Sequence, residues 1–179
     1  NSQQKTASIA RYGKILALES RLEESTDRTQ YISAASSAEL AELALTQFQV
    51  LKIQEPLRES LRRKRESLDR AVAAYDRTES YAIEQFALQA TRRKAQIYSE
   101  FAKAIMESDR PAGLDELALE EYEFLLEEQA YPFEEQAIAL YEVNVKRAWE
   151  GMQSPAIDDS YRALADLMPA RYDKKELLP

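Results

Sequence analysis

The residues best suited to chemistry are carboxylates concentrated between positions 111 and 150. This stretch carries 11 acidic and 2 basic residues, and seven glutamates dominate it: Glu120, Glu121, Glu123, Glu127, Glu128, Glu134 and Glu135. Helical bundles bind di-iron with glutamates of this kind, but they add a histidine three residues after a glutamate. The chain has no histidine and no cysteine. We therefore predict no metal ligand, and interpret the cluster as a solvated acidic face or as a docking surface for a basic partner.

Catalysis by the same carboxylates is a remote alternative. Two carboxylates can serve as acid and base in a hydrolase that cleaves glycosides. However, the absence of histidine removes the commonest general base, and the absence of cysteine removes the thiolate nucleophile. The sequence also has no phosphate-cradling glycine loop and no serine elbow motif. We therefore expect no enzyme activity, no catalytic or cofactor-binding residue, no cofactor and no small-molecule substrate.

A basic run precedes the acidic stretch and consists of Arg58, Arg62, Arg63, Lys64, Arg65 and Arg70. Glu59, Glu66 and Asp69 are interleaved with it at helical spacing, where they form local ion pairs. The formal charge of −8 also disfavours nucleic acid and anionic membranes as partners. We expect a protein or peptide partner instead. We further expect that the basic third and fourth helices lie against the acidic fifth and sixth.

The elements that carry these residues are helices. Glycine occurs only three times, and no segment alternates apolar and polar residues as a half-buried strand does. Apolar residues at helical spacing predict seven helices, with prolines at several boundaries. These helices span about 5–24, 29–54, 56–78, 81–108, 114–130, 133–152 and 155–168. Ser36 and Glu39 match a capping box, so the second helix alternatively begins near Ser36. No apolar run approaches the roughly 20 residues that span a bilayer, so we expect no membrane insertion.

The predicted architecture is an all-α stack of antiparallel helix hairpins in one domain, 1–172, followed by a charged tail, 173–179. Each amphipathic helix must bury its apolar stripe against a neighbour. Four tyrosines lie on these stripes and are predicted to be core residues: Tyr75, Tyr98, Tyr122 and Tyr141. Tyr12, Tyr31 and Trp149 are not assigned by the pattern. Any of these that is exposed becomes a candidate partner anchor, because aromatic residues dominate interface hot spots.

Small and aromatic residues also recur as in tetratricopeptide hairpins, where small residues allow two helices to cross closely. Gly13 and Ala95 take the small position of first repeat helices, whereas Ala71–Tyr75 and Ala137–Tyr141 resemble second helices. Lys94 departs from the pattern, since an apolar residue is usual there. The separation of Ala95 from Ala137 exceeds one standard repeat and predicts an extended hairpin between them.

The C-terminal half carries a more specific resemblance. Three segments resemble the last repeats of large tetratricopeptide proteins of Gram-negative bacteria: SDRPAGL from Ser108, YEFLLEEQAYPFEEQAI from Tyr122, and PARY from Pro169. The resemblance covers roughly Leu57 to Tyr172. It implies an α-solenoid fragment of a longer, exported protein that acts as a protein-binding scaffold in a periplasmic envelope complex for transport or motility. It implies no catalytic, ligand or partner-binding residue.

A second interpretation is a structural C-terminal cap of a longer repeat array, without a partner of its own. The two interpretations predict different surfaces. A binding module needs an apolar groove or a groove of single charge sign, whereas a cap needs a polar outer face.

Overall fold

The computed structural model describes residues 2–173, with side chains from Thr6 onward. Within that range the fold is all-α: seven helices occur and no strand. They are α1 (Ser2–Glu19), α2 (Asp27–Val50), α3 (Leu57–Glu79), α4 (Glu84–Met106), α5 (Glu116–Trp149), α6 (Pro155–Leu167) and α7 (Pro169–Tyr172). The predicted charged tail lies outside the described residues, except for Asp173. No helix between residues 2 and 173 has the length and apolar character needed to cross a membrane.

Helix α4 is the centre of the fold. Each helix packs against the next in sequence, and α4 additionally contacts α2 and α6. The main core lies between α2, α3, α4 and the first half of α5, and its largest buried side chains are Phe48, Tyr75 and Phe101. A second apolar cluster joins α4, α5 and α6 through Ala95, Tyr141 and Leu164, among others. Burial of these apolar side chains is the main source of stability.

Three of the four small residues that the repeat pattern identified lie where two helices pack closely together. Ala71, Ala95 and Ala137 are completely buried, and Ala95 shares the second cluster with Ala137. Because an alanine side chain is a single methyl group, it allows neighbouring helices to approach closely. The prediction for Gly13 is wrong, since a side chain added there would meet nothing within 4 Å.

The prediction that Pro132 separates two helices is wrong. Helix α5 runs through this residue without interruption and is 34 residues long. A proline inside a helix has no N–H for the carbonyl four residues earlier, here that of Glu128. Both Glu128 and Pro132 are exposed, so water can solvate that carbonyl. The extended hairpin expected between Ala95 and Ala137 is therefore built from α4 and one long helix.

We expect Pro132→Ala to raise the free energy of unfolding by roughly 1–3 kcal/mol. Alanine restores the hydrogen bond to the Glu128 carbonyl, and proline in a helix interior is about 3 kcal/mol less favourable than alanine. Part of this gain is offset, because proline also restricts the unfolded chain. Urea denaturation of both proteins measures the difference. An unchanged or lower stability would show that the packing of α5 depends on proline at this position.

The start of α2 also differs from one of the two predictions. Thr26 caps the helix: its Oγ1 accepts from the Thr29 N–H at 3.2 Å, and Thr29 Oγ1 accepts from the Thr26 N–H at 2.8 Å. The start near Ser36 is therefore wrong. Ser36 is buried and donates to the Ile32 carbonyl at 2.8 Å, because a serine inside a helix bonds back to the preceding turn. Ser37 instead joins α2 to α3 through a buried contact with Thr78 at 3.0 Å.

Lys94, the residue that departs from the repeat pattern, is accommodated by a polar cluster between α3, α4 and α5. It is only 9% exposed and pairs with Asp76 at 2.8 Å and with Glu79 at 2.5 Å. Glu79 also accepts from the Thr91 hydroxyl at 2.8 Å and lies 3.5 Å from Arg147. Buried charges require partners of this kind. The ion pairs thus replace the apolar contact that the pattern predicts.

The same cluster predicts a pH-dependent stability. Burial raises the pKa of Glu79, but hydrogen bonds from Lys94 and Thr91 outweigh it and leave the pKa below the ordinary 4.5. Burial likewise lowers the pKa of Lys94, but the bonds to Asp76 and Glu79 leave it above the ordinary 10.5. The pair therefore stabilises the fold at pH values between the lowered pKa of Glu79 and the raised pKa of Lys94. This stabilisation is lost as the pH falls through the lowered pKa of Glu79 or rises through the raised pKa of Lys94.

We expect Glu79→Gln to reduce the free energy of unfolding at pH 7 by about 1–2 kcal/mol, since a partly exposed pair is worth less than a fully buried one. The difference between the two proteins should shrink as the pH falls below 4.5. Urea denaturation between pH 3 and pH 7 measures it. Asp76→Asn is the matched control and should have a smaller effect, because that side chain is 58% exposed. A difference that stays constant across this range would contradict the pairing.

Candidate functional site

An open groove lies between α3 and α5, and we call it the α3–α5 groove. Both helices pack against α4, but their backbones do not approach one another. The space between them is therefore floored by α4 and left open to solvent. Its volume is about 560 Å³, within the range of about 300–1,000 Å³ typical of ligand-binding pockets.

The floor of the groove is apolar. Phe101 and Ile105 of α4 form it, and Ile53 extends it past the end of α2. On the α5 side the wall consists of Tyr122, Leu126, Gln129 and Phe133, none of which carries a charge. The spacing of these residues at intervals of three and four places them on one face of a helix. An apolar ligand surface could displace water from this groove.

The α3 wall is basic. It presents Arg58, Arg62 and Arg65 around the half-exposed Leu61. Arg62 pairs with Glu66 at 2.5 Å, and Arg65 lies 3.9 Å from Asp69. Within residues 2–173 no ion pair involves Arg58. Local ion pairs on an exposed helix are weak, so these guanidinium groups can rearrange toward an anionic ligand.

An aromatic cluster lies where α4 and α5 meet beside the groove. The Phe133 ring lies edge-on to Phe101, with centroids 4.7 Å apart, and stacks beside Tyr98 at 6.5 Å. The Arg65 guanidinium reaches across from α3 and sits 5.0 Å from the centre of the Phe133 ring. This weak cation–π contact favours a position of Arg65 over the aromatic cluster.

Only part of the basic run predicted from the sequence faces this groove. Lys64 is buried against α2, where it donates to the Phe48 carbonyl at 2.7 Å and lies 3.7 Å above the Phe48 ring. Burial lowers the pKa of Lys64, and Glu100 partly opposes this. Arg63 and Arg70 are exposed. Around the helix, Arg63 lies about 160° from the groove-facing Arg65 and Leu61, and Arg70 lies about 140° from Arg65 and about 180° from Leu61.

The acidic cluster of α5 lies outside the groove. All seven of its glutamates are exposed, and no group of three or more acidic residues in the described part of the chain could hold a metal ion. Arg110 approaches Glu123 at 3.6 Å, and Arg92 of α4 approaches Asp159 of α6 at 3.7 Å. Asp159 belongs to the predicted seventh helix, and Arg110 lies in the loop after α4. Among the described residues, no ion pair therefore joins a basic residue of the predicted third or fourth helix to an acidic residue of the fifth or sixth, as was expected. The helices instead pack mainly through apolar residues.

The face formed by α2, α4 and α6 is polar and largely paired with itself. Arg93 of α4 pairs with Glu42 of α2 at 2.7 Å, and Glu42 also accepts from the Tyr75 hydroxyl at 2.9 Å. Gln49 donates to Glu100 at 3.0 Å. Because these groups already have partners, this face offers a ligand less than the α3–α5 groove does.

The predicted core tyrosines are buried to different degrees. Tyr75 and Tyr141 are 1% and 6% exposed, whereas Tyr98 and Tyr122 pack at the edge of the core beside the groove. Of the unassigned aromatic residues, Trp149 is 75% exposed, and Tyr31 is half-exposed against Phe86. Tyr122 is the only tyrosine of this set that lines the groove. Neither Tyr31 nor Trp149 lines the groove.

Comparison of the chain with protein families, with characterised proteins and with solved structures finds no match.

Proposed function

We propose that this chain is a non-catalytic protein-binding module, and that its α3–α5 groove binds an acidic amphipathic helix of a partner protein. The observation that carries the proposal is the groove itself. It combines an apolar floor, an uncharged α5 wall and a wall of three arginines. A ligand with apolar residues along one face and carboxylates along the edge matches this arrangement, because complementary charge fixes the orientation of the partner and speeds its encounter.

The shape of the groove favours a helix as the ligand. Two helices, α3 and α5, flank it, and a third, α4, lies beneath. A ligand helix laid between them presents residues at intervals of three and four to the floor, as in other helix-in-groove complexes. Its carboxylates then lie along the α3 wall, where the arginines can form two parallel hydrogen bonds to each carboxylate.

The setting we propose is a scaffold in a bacterial envelope complex, built from degenerate tetratricopeptide-like hairpins of an α-solenoid. The resemblance of the segments from Ser108, Tyr122 and Pro169 to periplasmic tetratricopeptide proteins supports it. Helix α4 contacts α2 and α6 as well as its neighbours in sequence, α3 and α5. Stacked helix hairpins make contacts of this kind. The competing interpretation as a cap is disfavoured, because a cap needs a polar outer face and α5 exposes Leu117, Phe124 and Tyr131.

Two synthetic helical peptides test the proposal. Both carry leucine and phenylalanine at the same positions, but one has glutamates and the other lysines on the remaining surface. We expect fluorescence anisotropy to show saturable binding of the acidic peptide, weakening as salt rises. Binding of the basic peptide should be at least about tenfold weaker. Equal affinity for both peptides, or none for either, would contradict the proposed ligand.

A further inference from the structure

A second surface of α5 complements the α3–α5 groove. Leu117, Phe124 and Tyr131 follow one another at intervals of seven residues, which is close to two helical turns, so they form one row along the helix. Their exposed fractions are 68%, 60% and 58%, and Leu125 beside them is 53% exposed. We call these four residues the α5 outer stripe. Such a row of large exposed apolar residues marks an interaction surface.

The α5 outer stripe is bordered by carboxylates. Glu120 and Glu121 line a shallow depression with Leu117, Phe124 and Leu125. The Tyr131 hydroxyl donates a hydrogen bond to a Glu135 carboxylate oxygen at 2.6 Å. The stripe is therefore an acidic amphipathic helix surface, which is the ligand chemistry assigned above to the groove.

We propose that the α5 outer stripe of one copy of this chain docks in the α3–α5 groove of a second copy. This inference rests on the proposed function, and it names a partner for the same site. Charge favours a stripe in a groove over the two symmetric contacts, stripe against stripe and groove against groove. Two stripes facing each other oppose carboxylates to carboxylates, and two grooves oppose arginines to arginines. Only the stripe in the groove brings opposite charges together.

The two surfaces of one chain cannot satisfy each other. Phe124 of the stripe is two residues from Tyr122 and from Leu126, both of which line the groove. Two residues correspond to a rotation of about 200° around a helix, so the row of Leu117, Phe124 and Tyr131 lies on the side of α5 opposite the groove, and Leu125 lies between that row and the groove wall. A contact between different surfaces of two copies is head-to-tail and leaves one stripe and one groove free. The assembly should therefore grow beyond a dimer.

Sedimentation velocity at micromolar to millimolar protein concentration tests the inference. The unmodified chain should sediment faster as its concentration rises, past the value of a dimer, and this association should weaken at high salt. The double variants Leu117→Lys/Phe124→Lys in the stripe and Arg62→Glu/Arg65→Glu in the groove should each associate at least about tenfold more weakly. All four replaced residues are exposed, and circular dichroism melting curves check that both variants fold.

An equimolar mixture of the two variants is the decisive sample. The stripe variant keeps an intact groove and the groove variant keeps an intact stripe, so one junction can form. We expect a dimer that does not grow further. A monomeric native chain, a groove variant that associates like the native chain, or a mixture that stays monomeric would each overturn the inference.

Peptide titration separates this result from the proposed function. A native chain that stays monomeric but binds the acidic peptide would overturn self-docking and leave the proposed function standing. A native chain that neither associates nor binds the peptide would overturn both.

Discussion

Phe101→Ala is expected to lower the free energy of unfolding by about 3–5 kcal/mol, the range found when a buried aromatic residue is truncated in a core. Phe101 is only 1% exposed and belongs to the main cluster between α2, α3, α4 and α5. Its removal also ends the edge-on contact with Phe133, whose ring centroid lies 4.7 Å away. Chemical denaturation followed by far-ultraviolet circular dichroism measures the loss.

Phe124→Ala is the matched control. It also replaces a phenylalanine by alanine, but at a residue of α5 that is 60% exposed. A surface substitution of this kind is expected to change the free energy of unfolding by no more than about 0.5 kcal/mol. The contrast between the two variants tests whether Phe101 of α4 lies in the core while Phe124 of α5 faces solvent. Similar losses in both would contradict the orientation of α5 described above.

Arg62→Glu/Arg65→Glu is expected to weaken binding of the acidic helical peptide by about tenfold to a hundredfold, or roughly 1.4–2.7 kcal/mol. The substitution turns two attractive charges of the α3 wall into repulsive ones at the edge of the groove. It also removes the contact between Arg65 and the Phe133 ring at 5.0 Å. Fluorescence anisotropy at fixed ionic strength measures the change in Kd.

Arg63→Glu/Arg70→Glu is the control for that double variant. It makes the same change in net charge on the same helix, but neither residue lines the groove. At moderate salt, where the Debye length is about 10 Å, the effect of these more distant charges is screened. We therefore expect an affinity within about threefold of the native value. Equal losses in both double variants would indicate a general charge effect and would contradict a specific site.

The periodicity of apolar residues was sufficient to predict the fold class, because each helix buries a stripe at regular spacing. It was not sufficient at Pro132. Local preference there predicts a break, but the packing of α5 against α4 and α6 holds the helix together on both sides. Lys94 shows a related difficulty. Its burial depends on Asp76 and Glu79, which are 18 and 15 residues away, and no local pattern identifies such partners.

The groove was still harder to predict. Most of its residues come from α3, α4 and α5, and its apolar ones are largely shared with the stripes that form the core. What creates the groove is the gap between α3 and α5, which depends on how both helices pack on α4. The one available sign in the sequence was the apolar stripe of α3 with Arg58, Arg62 and Arg65 beside it. Periodicity alone does not distinguish such a stripe from an ordinary core face.

Nuclear magnetic resonance of the methyl groups tests the binding site most directly. Leucine and isoleucine methyl groups of the labelled chain are recorded while the unlabelled acidic peptide is added. If the peptide binds in the groove, we expect shifts at Leu61, Ile105 and Leu126, which line it, and none at Leu18 or Leu164, which do not. Saturable shifts confined to residues outside the groove, with Leu61, Ile105 and Leu126 unchanged, would contradict it.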